Sequence, residues 1–100
     1  MRLEFHPEAE LELIEAAAFY EGEVTGLGER FGAEVERVAG MLLKYPEIGA
    51  RLDADLRGFG LNRFPYTLIY SVSSDALRIV VVANQNRRPG YWRSRVDRNP

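Results

Sequence analysis

Two periodicities of hydrophobic and polar residues divide the chain into a helical part and a strand-forming part. Between residues 7 and 44 apolar residues recur every third or fourth position, whereas from Leu56 onward the period changes to two. The first spacing predicts amphipathic helices, and the second predicts β-strands with alternating faces. A short alternating segment, Arg2–Phe5, precedes the helical part and predicts a first strand.

The helical part is predicted to form an antiparallel hairpin of two helices. Pro7 suits the first position of a helix, since its missing N–H would have no partner there. The stripe that we expect to face the core of the first helix consists of Leu11, Ile14, Ala18 and Phe19. Glycines within residues 22–28 break the pattern, and a second helix is predicted over Leu27–Lys44. Its apolar stripe consists of Phe31, Val35, Val38 and Leu42.

The strand-forming part is predicted to contain three strands and a tail. The strands span Leu56–Phe64, Tyr66–Val72 and Leu77–Ala83, and we expect a bulge at Gly58 and Gly60 in the first of them. Residues 84–100 are predicted to be irregular or briefly helical. The order β-α-α-β-β-β predicts an α+β domain, in which the helical hairpin packs on one face of a mostly antiparallel four-stranded sheet.

The last strand indicates that both faces of the sheet are covered. Ile79–Ala83 is apolar at every position, unlike a strand with one solvated face. Because the helical hairpin can cover only one face, a second cover is needed. Either the tail segment Tyr91–Trp92 or another chain could supply it.

Length, charge and the lack of cysteine narrow the class of protein. One hundred residues suffice for a single domain, 1–100, and without cysteine there is no disulfide or thiol chemistry. Residues 1–50 carry 4 basic and 11 acidic side chains, whereas residues 51–100 carry 9 basic and 4 acidic ones. Either the two halves attract each other within one fold, or the arginine-rich half binds nucleic acid or an acidic protein. The acidic N-terminal region and the absence of a long apolar run predict a cytoplasmic protein without a membrane segment.

Few residues suggest catalysis by themselves. His6 is the only histidine, and the sequence has neither a glycine-rich phosphate loop nor a credible Ser–His–Asp arrangement. We therefore predict no metal site and no cofactor. Two segments do place arginine beside aromatic residues, namely Arg63–Tyr70 and Arg87–Trp92.

The two arginine-aromatic segments invite different interpretations. In the first, we expect the rings of Phe64, Tyr66 and Tyr70 to fill the core. In the second, Arg87, Arg88 and Tyr91 could equally form a contact surface for RNA or protein or have a structural role. For Trp92 we expect a structural role.

Several segments taken together resemble the RelE/ParE superfamily of toxins from bacterial toxin–antitoxin modules. They are Phe5–Ala9, Ala17–Glu21, Gly26–Phe31, Arg63–Tyr66, and Val82-Ala83 followed by Arg87–Trp92. The resemblance covers nearly the whole chain and keeps the order of the elements. It implies a small cytoplasmic toxin that is held inactive by a cognate antitoxin, an extended segment of which wraps the toxin.

The superfamily has two activities, and the resemblance favours one of them. RelE-like members cleave mRNA on ribosomes, and their pattern has lysines before the central strand, an arginine within it, and a later arginine and tyrosine. Here Arg57–Gly60 holds no lysine, Thr67 stands at the strand arginine position, and only Arg87 and Tyr91 match. The resemblance therefore implies a ParE-like protein that acts by binding DNA gyrase.

Two alternatives remain. The first is a ribosome-dependent mRNA endonuclease in which Arg87 holds the phosphate, Arg63 is a second cation and Tyr91 lies near the scissile bond. The second is a non-toxic module that only binds an antitoxin. For contact with a partner, the expected residues are Arg63, Arg78, Arg87, Arg88, Tyr91, Trp92 and Arg93.

Overall fold

One five-stranded sheet carries two long helices on one of its faces. The computed structural model describes residues 1–97. Its elements are β1 (Arg2–Phe5), α1 (Pro7–Glu23), α2 (Leu27–Lys44), β2 (Ala50–Arg51), β3 (Arg57–Gly60), β4 (Tyr66–Val72), β5 (Ala76–Asn84) and α3 (Arg93–Asp97). The predicted α+β class is confirmed, but the sheet has five strands instead of four. The additional strand, β2, has only two residues, which is too short to produce a readable alternation.

The strand order of the sheet is β1-β5-β4-β3-β2, so the most apolar strand lies between β1 and β4. β1 runs parallel to β5, and the other neighbours are antiparallel. The prediction of a bulge at Gly58 and Gly60 was wrong, because both residues pair regularly with β4. The register instead shifts between Ile69 and Tyr70, opposite β5.

The predicted strand over Leu56–Phe64 was too long at both ends. β3 covers only Arg57–Gly60, and the chain then forms a loop in which Arg63 adopts a positive φ of 70°. A residue in this left-handed conformation cannot continue an extended strand. Pro65, which lacks an N–H, also cannot donate to a ladder at this place.

α1 contacts the core through a different face from the one predicted. Leu11, Ile14 and Phe19 are 54%, 57% and 61% exposed, whereas the residues of α1 that pack on the core are Ala9, Leu13, Ala16, Ala17 and Tyr20. The helix is apolar on more than one side, so spacing alone does not select the buried face. The buried face is selected by the close crossing of α1 with α2, where a Cβ on Gly28 would collide with the backbone oxygen of Ala17.

The predicted stripe of α2 is confirmed. Phe31, Val35, Val38 and Leu42 are at most 2% exposed and belong to the cluster between the helices and the sheet. From β4 and β5, this cluster receives Leu68, Tyr70, Leu77, Ile79 and Val82.

The tail covers the second face of the sheet. Trp92 is 8% exposed and packs against a cluster formed by Leu56, Ile69, Val80, Val81 and Ala83, with Tyr91 and Val96 at its margin. Of the two candidates for this cover, the structure thus uses the chain's own tail. Residues 84–100 were predicted to be irregular or briefly helical, and the structure has the short helix α3 there, although residues 98–100 lie outside the described part.

Candidate functional site

One edge of β5 is completed by side chains instead of by a strand. β1 ends at Phe5, which pairs with Ile79, so β5 continues beyond its parallel neighbour. Along this edge, Arg95 Nη1 donates to the carbonyl of Val80 at 3.0 Å, and the Val82 N–H donates to Glu12 Oε1 at 3.0 Å. The Asn84 N–H donates to the Tyr91 hydroxyl at 3.1 Å. These backbone groups are therefore satisfied by residues of α1 and the tail.

Glu12 and Arg95 form the strongest polar contact at this edge. Arg95 Nη1 and Nη2 donate to the two carboxylate oxygens of Glu12 at 3.0 and 2.7 Å. Arg95 Nε lies 2.9 Å from the Glu8 carboxylate, in an ion pair whose angles do not make a hydrogen bond. The hydrogen bond to Glu12 raises the pKa of Arg95, so this guanidinium is permanently charged. The sequence did not predict this pair. The one feature that could have indicated it is the spacing of Glu8 and Glu12, which places both carboxylates on one face of α1.

A cavity, which we call the edge pocket, opens beside these groups and has a volume of about 310 Å³. It is lined by Glu12, Glu15, Ala16, Phe19, Tyr66, Val82, Asn84, Arg87 and Tyr91. The guanidinium carbon of Arg87 lies 3.9 Å from the centroid of the Tyr91 ring, at the distance of a cation–π contact. The edge pocket thus combines an exposed arginine, aromatic rings and two carboxylates.

Tyr66 at the edge pocket is not activated as an acid or base. Burial raises the pKa of Tyr66, so its hydroxyl is neutral at neutral pH. The Tyr91 hydroxyl accepts the hydrogen bond from the Asn84 N–H, which gives it a structural role at the strand edge. The charge of Glu12 is balanced by Arg95, but the exposed carboxylate of Glu15 would oppose an RNA phosphate placed against Arg87.

The residues expected to contact a partner do not form one surface. Arg87 and Tyr91 lie together at the edge pocket, and exposed Arg88 belongs to the same turn. Arg63 lines a separate groove beside α2. Trp92 is buried on the sheet and is therefore not accessible to a partner.

Arg93 and Arg78 have surroundings of their own. Arg93 donates to Asp53 at 3.0 Å, and its guanidinium lies 4.8 Å from the centre of the Trp92 ring. These contacts fasten the tail to the loop before β3. Arg78 lies in β5, in register with Glu4 of β1 and Ser71 of β4.

Neither metal chemistry nor a membrane segment is indicated by the described residues. Within residues 1–97, no three His, Cys, Asp or Glu side chains are grouped so as to hold a metal ion. None of the helices in the same range has the length and apolarity required to cross a bilayer.

Comparisons with known proteins agree with the order and geometry of the elements. The family model of the ParE toxin of type II toxin–antitoxin systems, parDE, matches residues 3–89. A solved structure described as the chromosomal ParDE TA system from P. aeruginosa is similar to the chain with a TM-score of 0.60 and 16% sequence identity. The similarity covers 84% of this chain and 95% of that chain, and it shows a shared fold. No curated protein is significantly similar in sequence.

Proposed function

The chain belongs to the family of ParE toxins of type II toxin–antitoxin systems, and we propose that it acts by binding a protein target, DNA gyrase, and not by cleaving RNA. The observation that supports this proposal most strongly is that the three residues considered for RNA cleavage do not line one common site. Arg63 lines a groove beside α2, whereas Arg87 and Tyr91 line the edge pocket. Cleavage by attack of a 2′-hydroxyl needs a base, a cation and an acid around one phosphate.

The composition of the edge pocket supports a protein target. Phe19 is 61% exposed, and Arg87 lies on the same pocket. An accessible aromatic ring beside an arginine is typical of the residues that dominate protein–protein interfaces. Glu15, which makes no ion pair within residues 1–97, in contrast adds a negative charge that makes the pocket less favourable for a polyanion.

A cognate antitoxin is the proposed regulator. Arg87 and Arg88 are both exposed, and their side chains have no hydrogen bond or ion pair with another residue in the range 1–97. An antitoxin segment that presents carboxylates to this pair and apolar side chains to Phe19 would cover the edge pocket. The complex would form in the cytoplasm, where gyrase acts.

Induced expression in bacteria tests the proposal directly. We expect filamentation and an SOS response, and we expect the purified protein to inhibit DNA supercoiling by gyrase. The variant Arg87→Glu should lose both effects, whereas Arg51→Glu, which changes an exposed arginine on β2, should keep them. Ribosome-dependent cleavage of mRNA that is lost in Arg87→Ala would overturn the proposal in favour of an endonuclease. Normal growth at high expression would indicate a non-toxic antitoxin-binding module.

A further inference from the structure

The first strand of the chain forms one end of the sheet and leaves its outer edge exposed. Within residues 1–97, β1 has β5 as its only strand neighbour. The side chains of Arg2 and Glu4 are 63% and 43% exposed, and Leu3 between them is exposed as well. The strand at the opposite end of the sheet, β2, has only two residues. Of the two sheet edges, that of β1 is therefore the one long enough to pair with another strand.

The backbone of β1 presents hydrogen-bonding groups along this edge. The N–H groups of Arg2 and His6 point toward β5 and the turn before it, where each donates to a carbonyl at 2.8 Å. Because successive residues of a strand direct their backbone groups to opposite sides, the N–H and carbonyl of Leu3 and Phe5 point away from β5. These two residues can thus donate to an added strand and accept from it.

The two faces of β1 carry different side chains. Leu3 and Phe5 lie on the face of the helices, and both line an apolar cavity of about 580 Å³ beside α1 and α2. Arg2 and Glu4 lie on the other face, where they form an ion pair at 3.0 Å. In β5, the residue in register with Glu4 is Arg78. Charged and apolar side chains therefore alternate along the exposed strand.

This alternation selects one register for antiparallel pairing of β1 with the β1 of a second copy. With the two-fold axis at Leu3, this residue exchanges two backbone hydrogen bonds with the second copy's Leu3, and Arg2 lies opposite the second copy's Glu4. A shift of the axis by one residue would place Arg2 opposite Arg2 or Glu4 opposite Glu4, and like charges directly opposite each other destabilise a sheet. Self-pairing about Leu3 is thus the register in which the backbone and the charges agree.

We propose that the protein forms a symmetric dimer through β1, in which two five-stranded sheets join into one. On the face away from the helices, each Glu4 would lie between Arg78 of its own chain and the second copy's Arg2. Opposite charges in such cross-strand positions stabilise the pairing of the strands. The dimer requires neither gyrase nor an antitoxin, so the inference goes beyond the proposed function.

The apolar face of β1 would contribute to the same contact. The two Leu3 side chains would meet at the two-fold axis, and the second copy's Met1 would lie opposite Phe5, beside the apolar cavity. Met1 is 56% exposed in the single chain and would lose part of this exposure. Because the strand has only four residues, the contact is small, and we expect a weak dimer that dissociates on dilution.

Sedimentation velocity over a range of protein concentrations tests the proposal on the full, untagged chain. We expect the average mass to rise from that of a monomer toward that of a dimer. Glu4→Arg and Arg2→Glu each place like charges opposite each other in both symmetry-related pairs, and each should weaken self-association roughly tenfold. Leu3→Pro removes an N–H that β5 does not use, and it should abolish the dimer.

An equimolar mixture of the two charge variants provides the decisive measurement. In a mixed dimer, both arginines of the Glu4→Arg chain face both glutamates of the Arg2→Glu chain, so the charges match again. The mixture should therefore associate at least as strongly as the original protein, although neither variant does so alone. If the mixture stays monomeric while circular dichroism shows both variants to be folded, the proposed register is wrong and the proposal is overturned.

Matched controls separate this contact from an effect of net charge. Glu23→Arg and Arg51→Glu make the same changes of charge at exposed positions outside β1. Each should self-associate like the original protein, and their mixture should gain nothing. The proposal is also overturned by a protein that is monomeric at every concentration, by a dimer that survives Leu3→Pro, or by a control mixture that gains as much as the mixture of the β1 variants. Of these outcomes, the first would leave the edge of β1 to a different chain.

Discussion

The carboxylate of Glu12 accepts two hydrogen bonds from the guanidinium of Arg95, which lies 83 residues later in the chain. The side chains are 19% and 11% exposed, so the pair is largely removed from water. Glu12 also accepts from the Val82 N–H, and Arg95 also donates to the Val80 carbonyl. The pair therefore joins α1, β5 and α3 at one point, which is also the wall of the edge pocket.

Removing the charge of Glu12 should destabilise the fold. Glu12→Gln leaves the Arg95 guanidinium with only Glu8 as a carboxylate partner, and we expect a loss of about 2 kcal/mol, somewhat less than for a fully buried pair. Urea denaturation followed by circular dichroism measures it. Glu15→Gln is the matched control, because Glu15 is an exposed residue of the same helix. Equal midpoints for the two variants would contradict a structural role of the pair.

Trp92 should report the attachment of the tail. It is the only tryptophan and is 8% exposed against β5, so the native protein should emit at short wavelength. Arg95→Gln removes the ion pair three residues away, and we expect a red shift of the emission while the far-ultraviolet signal of α1 and α2 is retained. An unchanged emission maximum in that variant would show that packing alone holds the tail.

The sequence predicted best those elements whose signals are local. The bounds of α2, Leu27–Lys44, were obtained correctly, because a glycine-containing break precedes the helix, Tyr45-Pro46 follows it and one apolar stripe runs along it. β4 was also predicted with its observed bounds. In both cases, local periodicity and turn chemistry suffice.

What could not be predicted depends on contacts between distant parts of the chain. The buried face of α1 is selected by its close approach to Gly28, and the role of Arg95 depends on Glu12 at the opposite end of the sequence. The positive φ of Arg63 could not be predicted either, because glycine is the residue that usually adopts this conformation and position 63 is an arginine. The candidate site could therefore be predicted as a set of arginines and aromatics, but not as two separate surfaces.

His6 should make the free energy of unfolding depend on pH below 6.5. Its Nδ1 accepts the Glu8 N–H at 3.0 Å at the start of α1, which requires the unprotonated ring nitrogen. Burial, and then the charge of Arg78, lower the pKa of His6 below its ordinary value of 6.5. The stabilisation is complete above the unfolded pKa of 6.5 and is lost as the pH falls toward the folded pKa.

His6→Asn tests this dependence, since asparagine keeps a side-chain acceptor at the helix start but does not titrate. The free energy of unfolding, measured between pH 5 and pH 8, should fall with decreasing pH more steeply in the original protein than in the variant. Parallel curves would exclude His6 as the source. Acid titration of the carboxylates is common to both proteins and cancels in the difference.

The hydroxyl of Tyr70 should contribute measurably to stability. It donates to the Pro46 carbonyl at 2.7 Å and accepts the Gly49 N–H at 3.0 Å, in a residue with no exposed surface. Tyr70→Phe leaves both backbone groups without this partner, and we expect a loss of about 1–3 kcal/mol. The denaturation midpoint measures it; Tyr45→Phe, at a residue 56% exposed, should change the midpoint little.

Two glycine-to-alanine substitutions should change stability in opposite directions. A Cβ on Gly49 would lie 2.5 Å from the Tyr70 hydroxyl oxygen, and the buried ring cannot move away without disturbing the core. Gly40 lies in an exposed position of α2, and a Cβ there meets nothing within 4 Å.

Gly49→Ala should therefore destabilise the protein, because the added methyl group displaces either the loop before β2 or the Tyr70 ring. Gly40→Ala should stabilise it by about 0.5–1 kcal/mol, since alanine favours the helical conformation that glycine must be constrained to adopt. Thermal and urea denaturation of the two variants, side by side, measure both effects. A stable Gly49→Ala protein would mean that the loop can shift away from Tyr70. The position of β2 would then not depend on that contact.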